Sequence, residues 1–141
     1  MNNYIEIKHL SKNYINQKKV NVLKNLNFKF KKGKIYSLMG PSGSGKSTLL
    51  NILSLIDRPS HGNLIIDNKK VNFEDINRND RLRSDNFGII YQEKNLLNDF
   101  TAEENITLAG IANGKTLMES LKLAGKILRK LKLNNRSKHF P

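Results

Sequence analysis

The sequence contains no cysteine, which excludes disulfide frameworks, thiolate metal sites and cysteine nucleophiles, and fits a reducing compartment. It also lacks any apolar run near the roughly 18 residues that a membrane-spanning helix requires. Its first ten residues, MNNYIEIKHL, have no apolar core of the kind found in secretory signals. We therefore expect the chain to start and stay in the cytosol.

Acidic residues are scarce, with 12 Asp and Glu against 25 Lys and Arg, which gives a formal net charge of +13. A polyanionic partner is therefore a candidate: nucleic acid, an anionic membrane surface or the phosphates of a nucleotide. The lysines are scattered along the chain rather than concentrated in one segment, and this distribution favours ordinary solvation of the surface. With 141 residues, of which 38% are hydrophobic, the chain has the size and composition of one ordinary domain.

The spacing of apolar residues predicts a mixture of strands and helices. Alternating apolar and polar residues are typical of half-buried strands, and short continuous apolar runs are typical of strands buried on both faces. The predicted strands are residues 4–8, 26–31, 35–39, 64–67, 71–73 and 87–90, with the first two paired antiparallel, a hairpin turn at 68–70, and 35–39 and 87–90 buried on both faces. The predicted helices are 49–56, ending near Asp57, a short exposed helix or loop at 75–86, and two helices that begin at the capping boxes of Thr101 and Thr116.

Residues 40–47 read GPSGSGKS, which satisfies the pattern G-x-x-x-x-G-K-[ST] between a predicted buried strand and a helix. Given the glycine, lysine, serine and threonine content, this pattern is expected by chance on the order of 0.01 times in such a chain. Its glycines allow backbone N–H groups to curl around a phosphate chain at the positive end of the helix dipole. The candidate nucleotide-binding residues are Gly40, Pro41, Ser42, Gly43, Ser44, Gly45, Lys46, Ser47 and Thr48.

Within this loop, Lys46 supplies a charge for the β and γ phosphates, and Ser47 supplies a hydroxyl ligand for Mg²⁺. Gln92 follows the predicted strand 87–90, and its side-chain amide could coordinate Mg²⁺ and orient a water molecule. The alternative for Gln92 is a glutamine that merely starts a surface loop. Tyr14 is a candidate to stack on an adenine face, although an exposed tyrosine alone is a weak signal.

Five segments, in this order and spacing, resemble the ATP-binding subunits of ABC transporters across essentially the whole chain. They are LSKNY with Tyr14, VLKNLNFKFKKGKIYSLMG, GPSGSGKSTLLNIL, HGNLIID and GIIYQ with Gln92. The stretch YQEKNLLNDFTAEENITLAGI is similar to the lipoprotein-releasing branch, with macrolide-export and cell-division subunits as near relatives. The resemblance implies an α/β fold of the P-loop NTPase type, in the ABC ATPase form, with ATP and Mg²⁺ as cofactors.

This resemblance also implies an organisation of the chain. Residues 1–91 would be part of the ATP-binding core, with an antiparallel β subdomain, and residues 92–141 would hold the glutamine loop and the start of a helical subdomain. The family's LSGGQ signature, Walker B aspartate, catalytic glutamate and switch histidine would all lie beyond Pro141. We therefore expect ATP binding, poor or absent hydrolysis, and an incomplete sheet with an unpaired edge and exposed apolar surface.

The partners implied by the resemblance are integral inner-membrane transporter subunits, contacted through residues 92–105, and a second ATP-binding subunit in a homodimer. The implied location is the cytoplasmic side of the inner membrane, as a peripheral protein. Two alternatives stay open from the residues: a stand-alone nucleotide-binding module without catalysis, and a nucleic-acid-associated P-loop ATPase suggested by the charge alone. Specific nucleic-acid binding is not expected, because the chain shows no aromatic-rich basic surface.

Overall fold

The computed structural model describes residues 3–16, 18–91 and 95–141. The chain divides into two compact units, Met1–Ile89 and Ile90–Pro141. The domain boundary that the sequence predicts, between residues 91 and 92, stays a prediction. None of the helices in the described ranges is both long and apolar enough to cross a membrane.

The first unit contains a four-stranded antiparallel sheet. Its strands are β1 (Asn3–Asn16), β2 (Lys18–Lys31), β3 (His61–Ile66) and β4 (Lys69–Lys70), in the order β2-β1-β3-β4. The predicted antiparallel pairing of the first two strands is confirmed, and both strands are longer than the alternating segments from which they were predicted.

Helix α1 (Lys46–Leu53) packs on this sheet and contributes to its core. Leu49 and Ile52 of the helix are buried with Leu10 of β1 and Leu64 of β3. Burying each such side chain stabilises the fold by about 1.5–3 kcal/mol. The helix ends before Asp57, where its end was predicted, because Leu55 turns the chain with a φ of 62°.

The hairpin between β3 and β4 differs from the prediction. The turn is made by Asp67 and Asn68 alone, with φ of 47° and 61°, and Ile66 pairs directly with Lys69. Two consecutive positive φ values match the twist of the flanking strands, and Asp and Asn tolerate this conformation well. The predicted turn at 68–70 and the return strand at 71–73 were therefore wrong.

The prediction of two fully buried strands was also wrong. Residues 35–39 and 87–90 are not strands, and Ile35, Met39 and Ile90 are almost fully exposed. A strand needs a neighbour to accept its backbone hydrogen bonds, and among the described residues no strand pairs with either segment. Between the two segments, residues 75–86 were predicted as a short exposed helix or loop, and they form a helix, α2 (Ile76–Asn86), most of whose residues are exposed.

The second unit contains α3 (Ala102–Ala112), α4 (Leu117–Lys130) and a 3-10 turn at Asn134–Arg136. Both predicted capping boxes are confirmed. Thr101 pairs reciprocally with Glu104, and Thr116 pairs with Glu119 in the same way. Hydrogen bonds from the threonine side chain and backbone lower the pKa of Glu104, and those from the Thr116 backbone and side chain lower the pKa of Glu119.

Small residues let α3 and α4 approach closely. A Cβ on Gly110 would lie 2.6 Å from the Ser120 Oγ, and Ser120 itself is 1% exposed. The predicted apolar stripe of α4 is only partly buried, because Ala124 and Leu128 are covered while Leu117 and Leu131 are exposed. The centre of this helix contact is therefore formed by small side chains.

We expect replacement of Ser120 by alanine to stabilise the second unit. The Ser120 Oγ is buried without a hydrogen-bond partner in the described part of the chain, and an unpaired buried hydroxyl costs about 1–3 kcal/mol. The variant should unfold at a higher urea concentration than the parent chain. As a matched control, Ser54→Ala removes a buried hydroxyl that donates to the Leu50 carbonyl at 2.7 Å, and it should lower stability. If both variants lost the same amount of stability, the assignment of the Ser120 hydroxyl as buried and unpaired would be wrong.

Candidate phosphate-binding site

The N-terminus of α1 differs from those of the other described helices. Helices α2, α3 and α4 begin with capping side chains, from Asp75, Thr101 and Thr116 respectively. Helix α1 begins at Gly45, which has no side chain, and its first turn contains no acidic residue. Its first-turn N–H groups and the positive end of its dipole are therefore available to an anion.

Only glycine fits at position 45. Its φ is 90°, and a Cβ there would lie 2.8 Å from the Leu23 Cδ2 atom and 3.2 Å from the Val22 carbonyl oxygen. The loop is thus packed directly against β2 at the point where α1 starts. Gly43, which also has a positive φ, of 76°, gives the loop its second bend.

The ammonium group of Lys46 lies over the loop. Its Nζ donates hydrogen bonds to the carbonyl oxygens of Gly40 at 2.9 Å and Pro41 at 2.7 Å. A lysine ammonium has three N–H donors, so one donor remains for an oxygen of a bound anion. The lysine therefore holds the loop and can contact a phosphate group at the same time.

The hydroxyl groups of the site lie at the start of the helix. Ser47 is exposed at the second position of α1, and Thr48 follows it and is partly buried. An exposed hydroxyl beside a phosphate site is a suitable oxygen ligand for Mg²⁺. The second predicted magnesium ligand, Gln92, lies outside the described residues, and its role stays a prediction.

Tyr14 lies on β1, away from the loop itself. Its hydroxyl donates to Asp57 Oδ2 at 2.9 Å, and its ring is 42% exposed. In the described ranges, no contact joins its side chain to residues 40–48. The link is the hairpin: Lys12 pairs with Leu23, which contacts Gly45, and Tyr14 is two residues further along β1. Tyr14 itself pairs with Val20 of β2, three residues before Leu23.

Sequence reasoning missed Lys12 and Asp57. The Lys12 Nζ lies 2.6 Å from Asp57 Oδ1. Burial raises the pKa of Asp57, but hydrogen bonds from Lys12, Tyr14 and the Arg58 backbone lower the pKa by more. The pKa of Asp57 is therefore below its usual value. The sequence did indicate that Lys12 is buried, because period-two spacing places it on the same face of β1 as the buried Leu10. Asp57 comes close to Tyr14 only through the tertiary fold and gave no such signal.

Residues 23–141 match the ABC transporter family. The chain belongs to the ABC transporter family. It is 41% identical over 140 residues to the macrolide export ATP-binding/permease protein MacB of Mannheimia succiniciproducens, covering 99% of this chain and 22% of that protein. It is 38% identical over 139 residues to the lipoprotein-releasing system ATP-binding protein LolD of Francisella tularensis, covering 97% of this chain and 60% of LolD.

Solved structures support the same fold. The dimeric structure of MJ0796, a bacterial ABC transporter cassette, matches with a TM-score of 0.86 and 37% identity over 97% of this chain and 61% of that chain. A dimeric post-hydrolysis state of MJ0796 bound to ADP and Pi matches with the same TM-score. The expected fold class, an α/β fold of the P-loop ABC ATPase type with an antiparallel β subdomain, is confirmed. The chain spans about three fifths of the length of LolD and of MJ0796.

Proposed function

We propose that this chain binds the triphosphate of ATP at the N-terminus of α1. The observation that carries the proposal is the uncapped start of this helix at Gly45, with the Lys46 ammonium directly over the loop. The free N–H groups and the positive helix end suit an anion, and the ammonium adds a full positive charge. Membership of the ABC transporter family supports ATP as the ligand.

In this proposal the phosphates lie on residues 40–48, and Lys46 contacts the β and γ phosphates. The Ser47 hydroxyl and the predicted ligand Gln92 would hold Mg²⁺, which would neutralise negative charge on the β and γ phosphates. The exposed ring of Tyr14 would stack on the adenine. These roles describe binding, and no hydrolytic step is assigned to the residues of this chain.

We further propose that the chain is the ATP-binding part of a lipoprotein-releasing ABC transporter. Its identity to LolD, 38%, and to MacB, 41%, does not separate the two. The stretch YQEKNLLNDFTAEENITLAGI, which is similar to the lipoprotein-releasing branch, favours the LolD type. The partners would be inner-membrane subunits, contacted through residues 92–105, and a second ATP-binding subunit, on the cytoplasmic face of the membrane.

Reconstitution of the transporter tests this assignment. The whole protein that carries this chain would be placed in vesicles with lipoprotein-releasing membrane subunits and a lipid-modified protein as cargo. We expect release of the cargo that requires ATP and that is lost in a Lys46→Met version. Release without ATP, or ATP-dependent transport of a macrolide in place of lipoprotein, would contradict the assignment.

A further inference from the structure

Lys12 is buried, with only 8% of its surface exposed, which is unusual for a lysine. Its Nζ donates to Asp57 Oδ1 at 2.6 Å and to the Arg58 carbonyl oxygen at 2.7 Å. The same ammonium lies over the Tyr14 ring, 4.9 Å from the ring centroid. A lysine is rarely buried unless its charge is paired. The Asp57 carboxylate is therefore needed to keep the Lys12 ammonium buried.

Asp57 connects the three side chains. Its Oδ1 accepts from Lys12 and from the Arg58 backbone N–H at 2.7 Å, while its Oδ2 accepts from the Tyr14 hydroxyl at 2.9 Å. The tyrosine is therefore fixed at two points: its hydroxyl by Asp57 and one face of its ring by Lys12. The opposite face is the one on which a planar group could stack.

We propose that Lys12 and Asp57 are positioning residues that hold the Tyr14 ring in place to stack on the base of the bound nucleotide. The inference rests on the proposed function, in which residues 40–48 bind the phosphates of that nucleotide. A ring that is already fixed loses less conformational freedom when a base stacks on it, and this raises affinity without a new contact. The Lys12 ammonium makes a cation–π interaction with the other face of the ring, which also holds the ring in place.

The location supports this role. Lys12 pairs across the hairpin with Leu23, and Leu23 is the side chain against which Gly45 packs. The network of Lys12, Asp57 and Tyr14 is therefore attached to the same part of β2 as the phosphate loop. The Tyr14 ring and the loop at residues 40–48 would therefore move together, and this keeps a fixed distance between the contacts to the base and the contacts to the phosphates.

The test compares two ligands, Mg·ATP and Mg·tripolyphosphate, which share a phosphate chain but differ in the base. Their affinities would be measured by calorimetry on the 141-residue chain, on four single variants and on one double variant. Tyr14→Leu removes the ring, Tyr14→Phe removes only the hydroxyl tether, and Asp57→Ala removes the acceptor. Glu74→Ala is the matched control, because it breaks a neighbouring exposed ion pair, Arg58 to Glu74 at 3.3 Å, outside the network.

We expect Tyr14→Leu to weaken ATP binding about 5- to 150-fold, as the loss of base stacking predicts. Tyr14→Phe should weaken it about 2- to 10-fold, the effect of one hydrogen bond. Asp57→Ala should weaken it at least as much, because it removes the same hydrogen bond and also the ion pair that holds Lys12 against the ring. The double variant should be no weaker than Asp57→Ala alone, because Asp57→Ala already removes the bond that Tyr14→Phe removes. Tripolyphosphate binding should be unchanged in all of them, and Glu74→Ala should change neither ligand.

The possible failures are distinguishable. If the parent chain binds neither ligand, the proposed function and the inference are both overturned. If it binds ATP no better than tripolyphosphate, the phosphate site stands and the role of Tyr14 is overturned. If it prefers ATP, and Tyr14→Phe and Asp57→Ala keep that preference, the positioning role is overturned. Tyr14→Phe retains the ring and the Lys12–Asp57 ion pair, so it decides the question even if Asp57→Ala does not fold.

Discussion

Replacing Gly62 by alanine is expected to destabilise the first unit by about 3–5 kcal/mol, which is a large part of the stability of a small domain. A Cβ at this position would lie 2.3 Å from the carbonyl oxygen of His9 and 2.7 Å from the Leu10 Cα. Both are backbone atoms of β1, so no side-chain rotation relieves the clash. The φ of 90° adds strain for any residue with a side chain.

Chemical unfolding of the full chain, followed by circular dichroism, measures this loss. Gly33→Ala is the matched control, because Gly33 also has a positive φ, of 71°, but a Cβ there would meet nothing within 4 Å. The control should cost about 1–2 kcal/mol, the price of the left-handed backbone alone. If the two variants unfold at the same denaturant concentration, β1 does not approach β3 as closely as the structure shows.

Lys46→Met is expected to weaken the binding of Mg·ATP about 10- to 100-fold. A hydrogen bond to a charged group contributes about 1.5–3 kcal/mol, and each 1.4 kcal/mol corresponds to a factor of ten. The variant also removes the bonds from Nζ to the carbonyl oxygens of Gly40 and Pro41, which hold the loop closed. Methionine keeps most of the length of the lysine side chain, so the change is mainly one of charge and donors.

Titration calorimetry measures this effect, and Lys122→Met serves as the control. Lys122 is an exposed residue of α4, so this variant lowers the net charge equally but leaves the loop intact. It should bind ATP as the parent chain does. If both variants lose affinity to the same extent, ATP is attracted by the general positive charge of the chain rather than by the phosphate loop.

Features that depend on a few neighbouring residues could be predicted from the sequence. The capping boxes at Thr101 and Thr116 need only a threonine and a glutamate three residues apart, and both formed as expected. The bends at Gly43 and Gly45 are equally local, because each needs only a glycine with a positive φ, and Lys46 bonds to carbonyl groups five and six residues away. The binding of phosphate by these residues stays a prediction. The antiparallel pairing of β1 and β2 also followed from alternation and proximity in the chain.

Features that depend on distant partners could not be predicted. The apolar run at 35–39 has the composition of a buried strand, but a strand forms only where a neighbour pairs with it, and a single sequence does not show that neighbour. The interaction of Lys12 with Asp57 joins residues 45 positions apart and depends on where the chain returns after α1. The turn at Asp67 and Asn68 was misplaced because Lys69 and Lys70, which follow it and form β4, are as polar as the turn residues.

The most direct test of the central claim is titration calorimetry of the 141-residue chain with ATP, ADP and AMP in the presence of Mg²⁺. If the N-terminus of α1 and Lys46 bind the phosphate chain, affinity should fall from ATP to ADP and be lost with AMP, which lacks the β and γ phosphates. No heat with any of the three, or equal affinity for AMP and ATP, would contradict the account.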